Sequence, residues 1–444
     1  MKSLLVLNAT IVNEGTLEER DLLVREGRIE RIEGDLSSIT ADEVIDASGH
    51  HLLPGLIDDQ VHFREPGLTH KGTIASESRA AVAGGVTSYM EMPNVSPSTT
   101  NMDRLREKLS IASHDSLANY AFYLGAANDN LEDIKTAPPS EIAGIKVFMG
   151  SSTGNMLVDD ESTLENLFRH APTLIAAHCE HTPTILENEA IARAEHGENV
   201  PFHLHAEIRS REACIRSSAM AIQLAQRHGA RLHVLHLTTE EEIELFETGP
   251  VKEKKITAEA CVHHLFLDNS SYVERGPQIK CNPAVKSATD REALLRALHD
   301  DRIDVVASDH APHTWEEKKG KYFDCPSGLP LIQHSLPILL ELHRAGKISL
   351  ETIASKTSHA VADLFQIEDR GYLREGYWAD FVLVDLNKPR PVIKDHLLSQ
   401  CGWSPFAGDT FGASVETTVV SGRVAWRKGR IHEATRGLAL SFER

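Results

Sequence analysis

Between residues 55 and 309 short apolar runs alternate with helical patterns, and the runs number eight. The strand candidates are 55–58, 86–92, 119–124, 144–148, 173–178, 231–236, 256–261 and 305–309. Helical stretches follow most of them, at 73–83, 101–113, 161–170, 212–228, 239–248 and 290–300. Strands that alternate with helices imply a parallel sheet, and eight such units predict a closed (β/α)8 TIM-type barrel in the α/β class. An open doubly wound sheet is the competing architecture, but no G-x-G-x-x-G follows any strand.

The two ends differ from this middle and resemble each other. Residues 21–24, the Glu26-Gly27 turn and residues 28–32 read as a hairpin with period-2 alternation. Residues 379–385 form an apolar strand, and 415–420, Ser421-Gly422 and 423–426 form a second hairpin. Together they predict a small β-sandwich domain built from both termini, residues 1–52 plus 372–444, around a catalytic barrel at 53–371.

Composition excludes several classes. The chain of 444 residues carries 46 Lys plus Arg against 65 Asp plus Glu, a net charge of −19. A polyanion binder needs a basic face, so no nucleic-acid partner is expected. The six cysteines are scattered without a C-x-x-C, and no apolar run approaches the roughly 18 residues of a membrane helix. Residues 1–7 are too short an apolar stretch for a signal peptide. The expectation is a cytoplasmic protein acting on a small molecule, with no membrane partner and with homo-oligomerisation open. The unusual count is histidine, 24 against 13 Phe, 7 Tyr and 4 Trp. That surplus suggests metal or proton chemistry.

In such barrels the chemistry lies at the carboxyl ends of the strands. His62 falls just past the first strand and Lys146 within the fourth; His178, His236 and Asp309 end the fifth, sixth and eighth. One histidine at a strand end is usually structural; five groups from five strands at one mouth are a signal. An ammonium repels a cation, so Lys146 has two readings. It is either a buried amine paired with a carboxylate or an amine made anionic by reaction with carbon dioxide, which burial favours by supplying the neutral form.

Gly55-Leu-Ile-Asp-Asp-Gln-Val-His-Phe-Arg-Glu-Pro-Gly67 resembles the first-strand motif of dihydroorotases in the amidohydrolase superfamily. Glu91-Met-Pro-Asn94, Gly144-Ile-Lys-Val-Phe148, Ala177-His-Cys-Glu180, Leu235-His236 and Cys261-Val-His-His-Leu265 are similar to later motifs of that group. Ser308-Asp-His-Ala-Pro-His313, Glu316-Glu-Lys318 and Trp403-Ser-Pro-Phe-Ala-Gly408 complete the ordered set. The resemblance implies zinc, one or two ions, held by His62, carboxylated Lys146, His178, His236 and Asp309. It also implies substrate-carboxylate contacts from Arg64, Asn94 and His313, with Asn282 nearby. The implied reaction is the reversible cyclisation of N-carbamoyl-L-aspartate to L-dihydroorotate, a step of pyrimidine synthesis. Metal-activated water would attack the ring amide while Asp309 moves the proton as general base and acid.

One position departs from the pattern. The usual His-x-His is here Gln60-Val61-His62, which weakens the first metal site and leaves the number of ions open, with Asp59 as a substitute to check. Two other readings stay open: a hydantoinase- or allantoinase-type cyclic amidase, and a non-catalytic scaffold homologue. Among the remaining histidines, one of His263 and His264, which follow the seventh strand, is expected to face the site and the other to pack outward. His310 is expected to orient Asp309, and His203 and His205 are expected to bind no metal. Residues 314–328 read as a mobile loop over the mouth, and Cys325 as incidental.

Overall fold

A computed structural model of the protein describes residues 2–150 and 154–444. The barrel strands are Leu56–Val61, Val86–Glu91, Asn119–Phe122, Ile145–Phe148, Ile175–His178, Leu232–Val234, Ile256–Cys261 and Val305–Ala307. All neighbours pair in parallel. A short strand, Leu124–Gly125, continues the third and pairs with Ile145 and Lys146. The ring closes where Val61 bridges His310 and the His62 N–H donates to the His310 carbonyl at 2.7 Å.

These strands are buried on both faces, as helix-wrapped parallel sheets are. The first strand shows why sequence underestimates it. Periodicity ends it at 58, because Asp58, Asp59 and Gln60 interrupt the apolar run, yet pairing continues to Val61 past a register irregularity and every residue is buried. Polar side chains there line the barrel interior rather than face water. The sixth and eighth strands end two residues earlier than expected. His236 and Asp309 follow them in left-handed backbone, at φ 43° and 49°. The 239–248 helix shrinks to Glu240–Ile243 beneath a Thr239 cap, after which Leu245 and Phe246 turn back on it.

The termini form one nine-stranded sheet, with strands from both ends interleaved: Phe381–Asp385 pairs with His51–Pro54 on one side and Ser414–Val420 on the other. Both expected hairpins are present. Their turns use Glu26-Gly27 and Ser421-Gly422, all four residues at positive φ, as the twist of a two-residue hairpin requires. Gly422 is also pressed against Gly27, where a Cβ would meet backbone atoms at 2.4 Å. The main core joins both parts: Val12, Leu53, Val382, Val415 and Trp426 pack in one cluster with barrel residues such as Val86, Ile145 and Val234. Among the described residues no helix is long and apolar enough to cross a membrane.

Candidate metal centre at the barrel rim

Three imidazoles and a carboxylate stand at the mouth as two close pairs, and among the described residues no three of their donor atoms lie within 4.8 Å of one another. His178 and His236 face each other with Nδ1 and Nε2 2.9 Å apart, and His62 Nε2 lies 3.2 Å from Asp309 Oδ1. The far side of each ring is arranged differently. His62 Nδ1 is 2.6 Å from Asn94 Oδ1, so it carries the proton and leaves Nε2 with its lone pair inward. His178 Nε2 is 2.8 Å from Glu180 Oε2, a carboxylate that Arg209 also contacts at 2.6 Å, leaving Nδ1 inward. A carboxylate or carbonyl behind a histidine is the usual way a metal-ligating ring is oriented. Burial pushes all three rings below their ordinary pKa, His236 well below, so they are neutral and able to donate lone pairs.

Lys146 is 1% exposed, and its amine makes no ion pair or hydrogen bond among the described residues, lying 4.5 Å over the Phe148 ring. Burial, opposed by the more distant charges of Asp309 and Glu259, pushes its pKa down to about 8. Of the two readings of this lysine, the direct carboxylate pair is absent. The residues therefore fit a cation bound by neutral nitrogen donors and anionic oxygens, with a reactive amine among them.

Gln60 takes no outward position. Its Nε2 donates to Asp309 Oδ1 at 3.2 Å, while its Oε1 faces the Cys261 thiol at 3.8 Å. Asp59 does not replace the missing histidine, because its side chain points into the barrel towards His233.

Two residues past His62 begins a cluster of basic side chains. Arg64, at φ 73° and 6% exposed, donates from Nε to the Pro312 carbonyl at 3.0 Å and places Nη2 3.1 Å from His313 Nε2. Its neighbours of opposite charge are otherwise engaged: Glu65 accepts from the Ile74 N–H and Asp58 from the Ser308 N–H. Burial pushes even this guanidinium down to about 10. His313 is held far below its ordinary pKa by burial and by the charges of Arg64 and Lys71. Asn282, half-buried, has a side-chain oxygen that accepts no hydrogen bond among the described residues.

The other candidates sort clearly. His310 Nε2 meets Glu77 at 2.9 Å while its Nδ1 accepts from Leu331 and Ile332, so it braces the backbone next to Asp309. His205 is used by Tyr322 and the Cys281 carbonyl, and His203 is exposed. His263 and His264 are both buried, with rings 3.9 Å apart, and their nitrogens cluster with the Cys261 thiol. The 314–328 segment is anchored rather than loose: Lys318 donates to the Lys280 and Pro326 carbonyls, and Lys280 reaches back to those of Tyr322 and Cys325. Sequence reasoning missed three site residues. Glu180 lay inside a recognised motif without a role. Lys71, 3.1 Å from both His313 and Glu317, and Arg209 had no spacing signal at all.

Residues 51–425 match the Amidohydrolase family. The chain is 34% identical to a dihydroorotase of Halobacterium salinarum over 92% of its own length and 96% of that protein. It is 30% identical to an allantoinase of Desulfitobacterium hafniense, over 96% of each. Its structure superposes on the L-hydantoinase (dihydropyrimidinase) of Arthrobacter aurescens with a TM-score of 0.92 at 26% identity, covering 99% of this chain and all of that one. With the barrel, the rim cluster and these relatives together, the chain belongs to the amidohydrolase family and is an enzyme of its cyclic-amidase kind.

Proposed function

We propose that the protein is a zinc-dependent dihydroorotase, interconverting L-dihydroorotate and N-carbamoyl-L-aspartate. The observation that carries this reading is Arg64, a buried guanidinium near the rim donors with no carboxylate within ion-pair distance among the described residues. Buried charges are ordinarily paired, and a substrate carboxylate would complete the pair with planar, two-pronged geometry. The neutral ring of hydantoin offers no such partner.

His62, His178, His236, Asp309 and Lys146, carboxylated, would hold the metal, and zinc suits their nitrogen and oxygen donors. The cation when bound supplies polarisation of the amide carbonyl and a water ionised near neutral pH. Asp309, fixed by left-handed backbone and by Gln60, takes the proton of the attacking water and returns it to the departing ring nitrogen. Arg64 and His313 hold the carboxylate, which fixes the ring against the nucleophile and lowers the entropic part of the barrier. Asn94 acts through His62, whose tautomer it sets, and the Asn282 oxygen is left to accept from a substrate N–H.

A hydantoinase- or allantoinase-type activity is the second reading, favoured by the titles of some relatives. Zinc-supplied protein that hydrolyses dihydroorotate, with Asp309→Ala inactive, supports the proposal. Equal behaviour of wild type and Asp309→Ala would remove it and return the scaffold reading.

A further inference from the structure

We infer that Asp59, His233 and Glu259 form a second, internal cation site below the rim, suited to a divalent ion of the zinc type. The three residues come from the first, sixth and seventh barrel strands, and each is completely buried. His233 Nε2 lies 3.4 Å from Asp59 Oδ2 and 3.7 Å from Glu259 Oε2, and the donor atoms all fall within 4.8 Å of one another. Apart from these ion-pair distances, none of His233 Nε2, Glu259 Oε2 and the two Asp59 carboxylate oxygens has a hydrogen-bond partner among the described residues. Buried carboxylates without partners are rare, because each carries a desolvation cost that something must offset.

The remaining hydrogen bonds fix which atoms face inward. Thr257 Oγ1 donates to the Leu232 carbonyl, so at 2.8 Å it accepts from His233 Nδ1–H. That tautomer turns the Nε2 lone pair towards the two carboxylates. Glu259 uses its other oxygen to accept from the His236 N–H at 2.9 Å, leaving Oε2 inward. With the ring neutral, three electron-pair donors converge. Without a cation, and against the cost of burial, the two carboxylates push the His233 pKa up to about 9, so an entering ion takes the place of that ring proton.

The spacing selects the ion. Zinc bonds of about 2.0–2.2 Å in a tetrahedron give ligand–ligand edges of about 3.3–3.6 Å. An octahedron at magnesium's roughly 2.1 Å has adjacent edges of about 3.0 Å, and that ion takes oxygen rather than imidazole. The observed 3.4 Å falls within the tetrahedral range and 3.7 Å just beyond it, both longer than the octahedral edge. Two carboxylates and one imidazole would leave a fourth position for the second Asp59 oxygen or a water.

The site is read by anomalous diffraction from crystals of the zinc-supplied protein, with data on both sides of the zinc absorption edge. A peak between Asp59, His233 and Glu259, separate from any density at the rim, is the expected result. Asp59→Asn should then lose one zinc ion per chain while keeping the rim peak. A rim peak with nothing inside overturns the internal site and leaves the rim reading standing. Peaks at neither place overturn both. If Asp59→Asn does not fold, the wild-type map decides alone.

Discussion

At position 60 the resemblance leads one to expect an imidazole, and the glutamine there instead ties its amide to Asp309. Gln60→His should restore a nitrogen donor at the mouth and raise the zinc bound per chain, measured by metal analysis after dialysis against a weak chelator; an unchanged content would mean that the position does not face the ion. Glu180 makes the complementary case. Glu180→Gln keeps the shape but removes the charge behind His178, and should weaken metal affinity by about 10–100-fold in a competitive chelation titration. Lys146 gives a pH signature in metal-free protein stripped of carbon dioxide. Its amine titrates near 8 in the fold but near 10.5 when unfolded, so between those values the unfolded chain binds more protons. Stability relative to Lys146→Met should therefore rise as pH climbs from 8 towards 10.5, by about 3 kcal/mol in all. Denaturant titrations that give a flat difference would place the amine in a solvated setting.

At the scale of elements, what was legible in the chain depended on whether a pattern was periodic. The eight strands and the two terminal hairpins follow from apolar alternation and from the Glu26-Gly27 and Ser421-Gly422 turns. The ends of the first, sixth and eighth strands do not. Residues 58–60 are polar because they face into a barrel, and His236 and Asp309 leave their strands through left-handed backbone that no spacing announces. The strand-end donors were readable because each ends or follows an apolar run. Lys71, Arg209 and the Asp59–His233–Glu259 group were not, since they meet only when the ring closes. A buried ion pair, Lys108 with Glu91, both wholly buried, links the helix Met102–Asp115 to the second strand. Lys108 also donates to the Met92 carbonyl, and Glu91 accepts from the Phe63 N–H next to His62. Lys108→Met leaves that carboxylate uncompensated and should cost about 3–5 kcal/mol, seen as a lower midpoint in chemical denaturation.

Across the whole molecule, barrel and terminal sheet share one core, in which Val12, Val382 and Trp426 pack with Val86 and Val234. Calorimetry of the metal-free protein should accordingly show one unfolding transition; two resolved peaks would mean that the sheet folds independently. The same architecture sets the buried arginine beside the strand-end donors, and the proposed substrate rests on that juxtaposition. The most direct test is the ratio of kcat/KM for dihydroorotate to that for hydantoin, in zinc-loaded wild type and in Arg64→Gln. The account predicts a strong preference for dihydroorotate in the wild type. It predicts that the substitution lowers this preference by about tenfold to a hundredfold, the worth of a charged hydrogen bond, with hydantoin turnover little changed. A wild-type enzyme that prefers hydantoin or allantoin, or a ratio indifferent to Arg64, would contradict it.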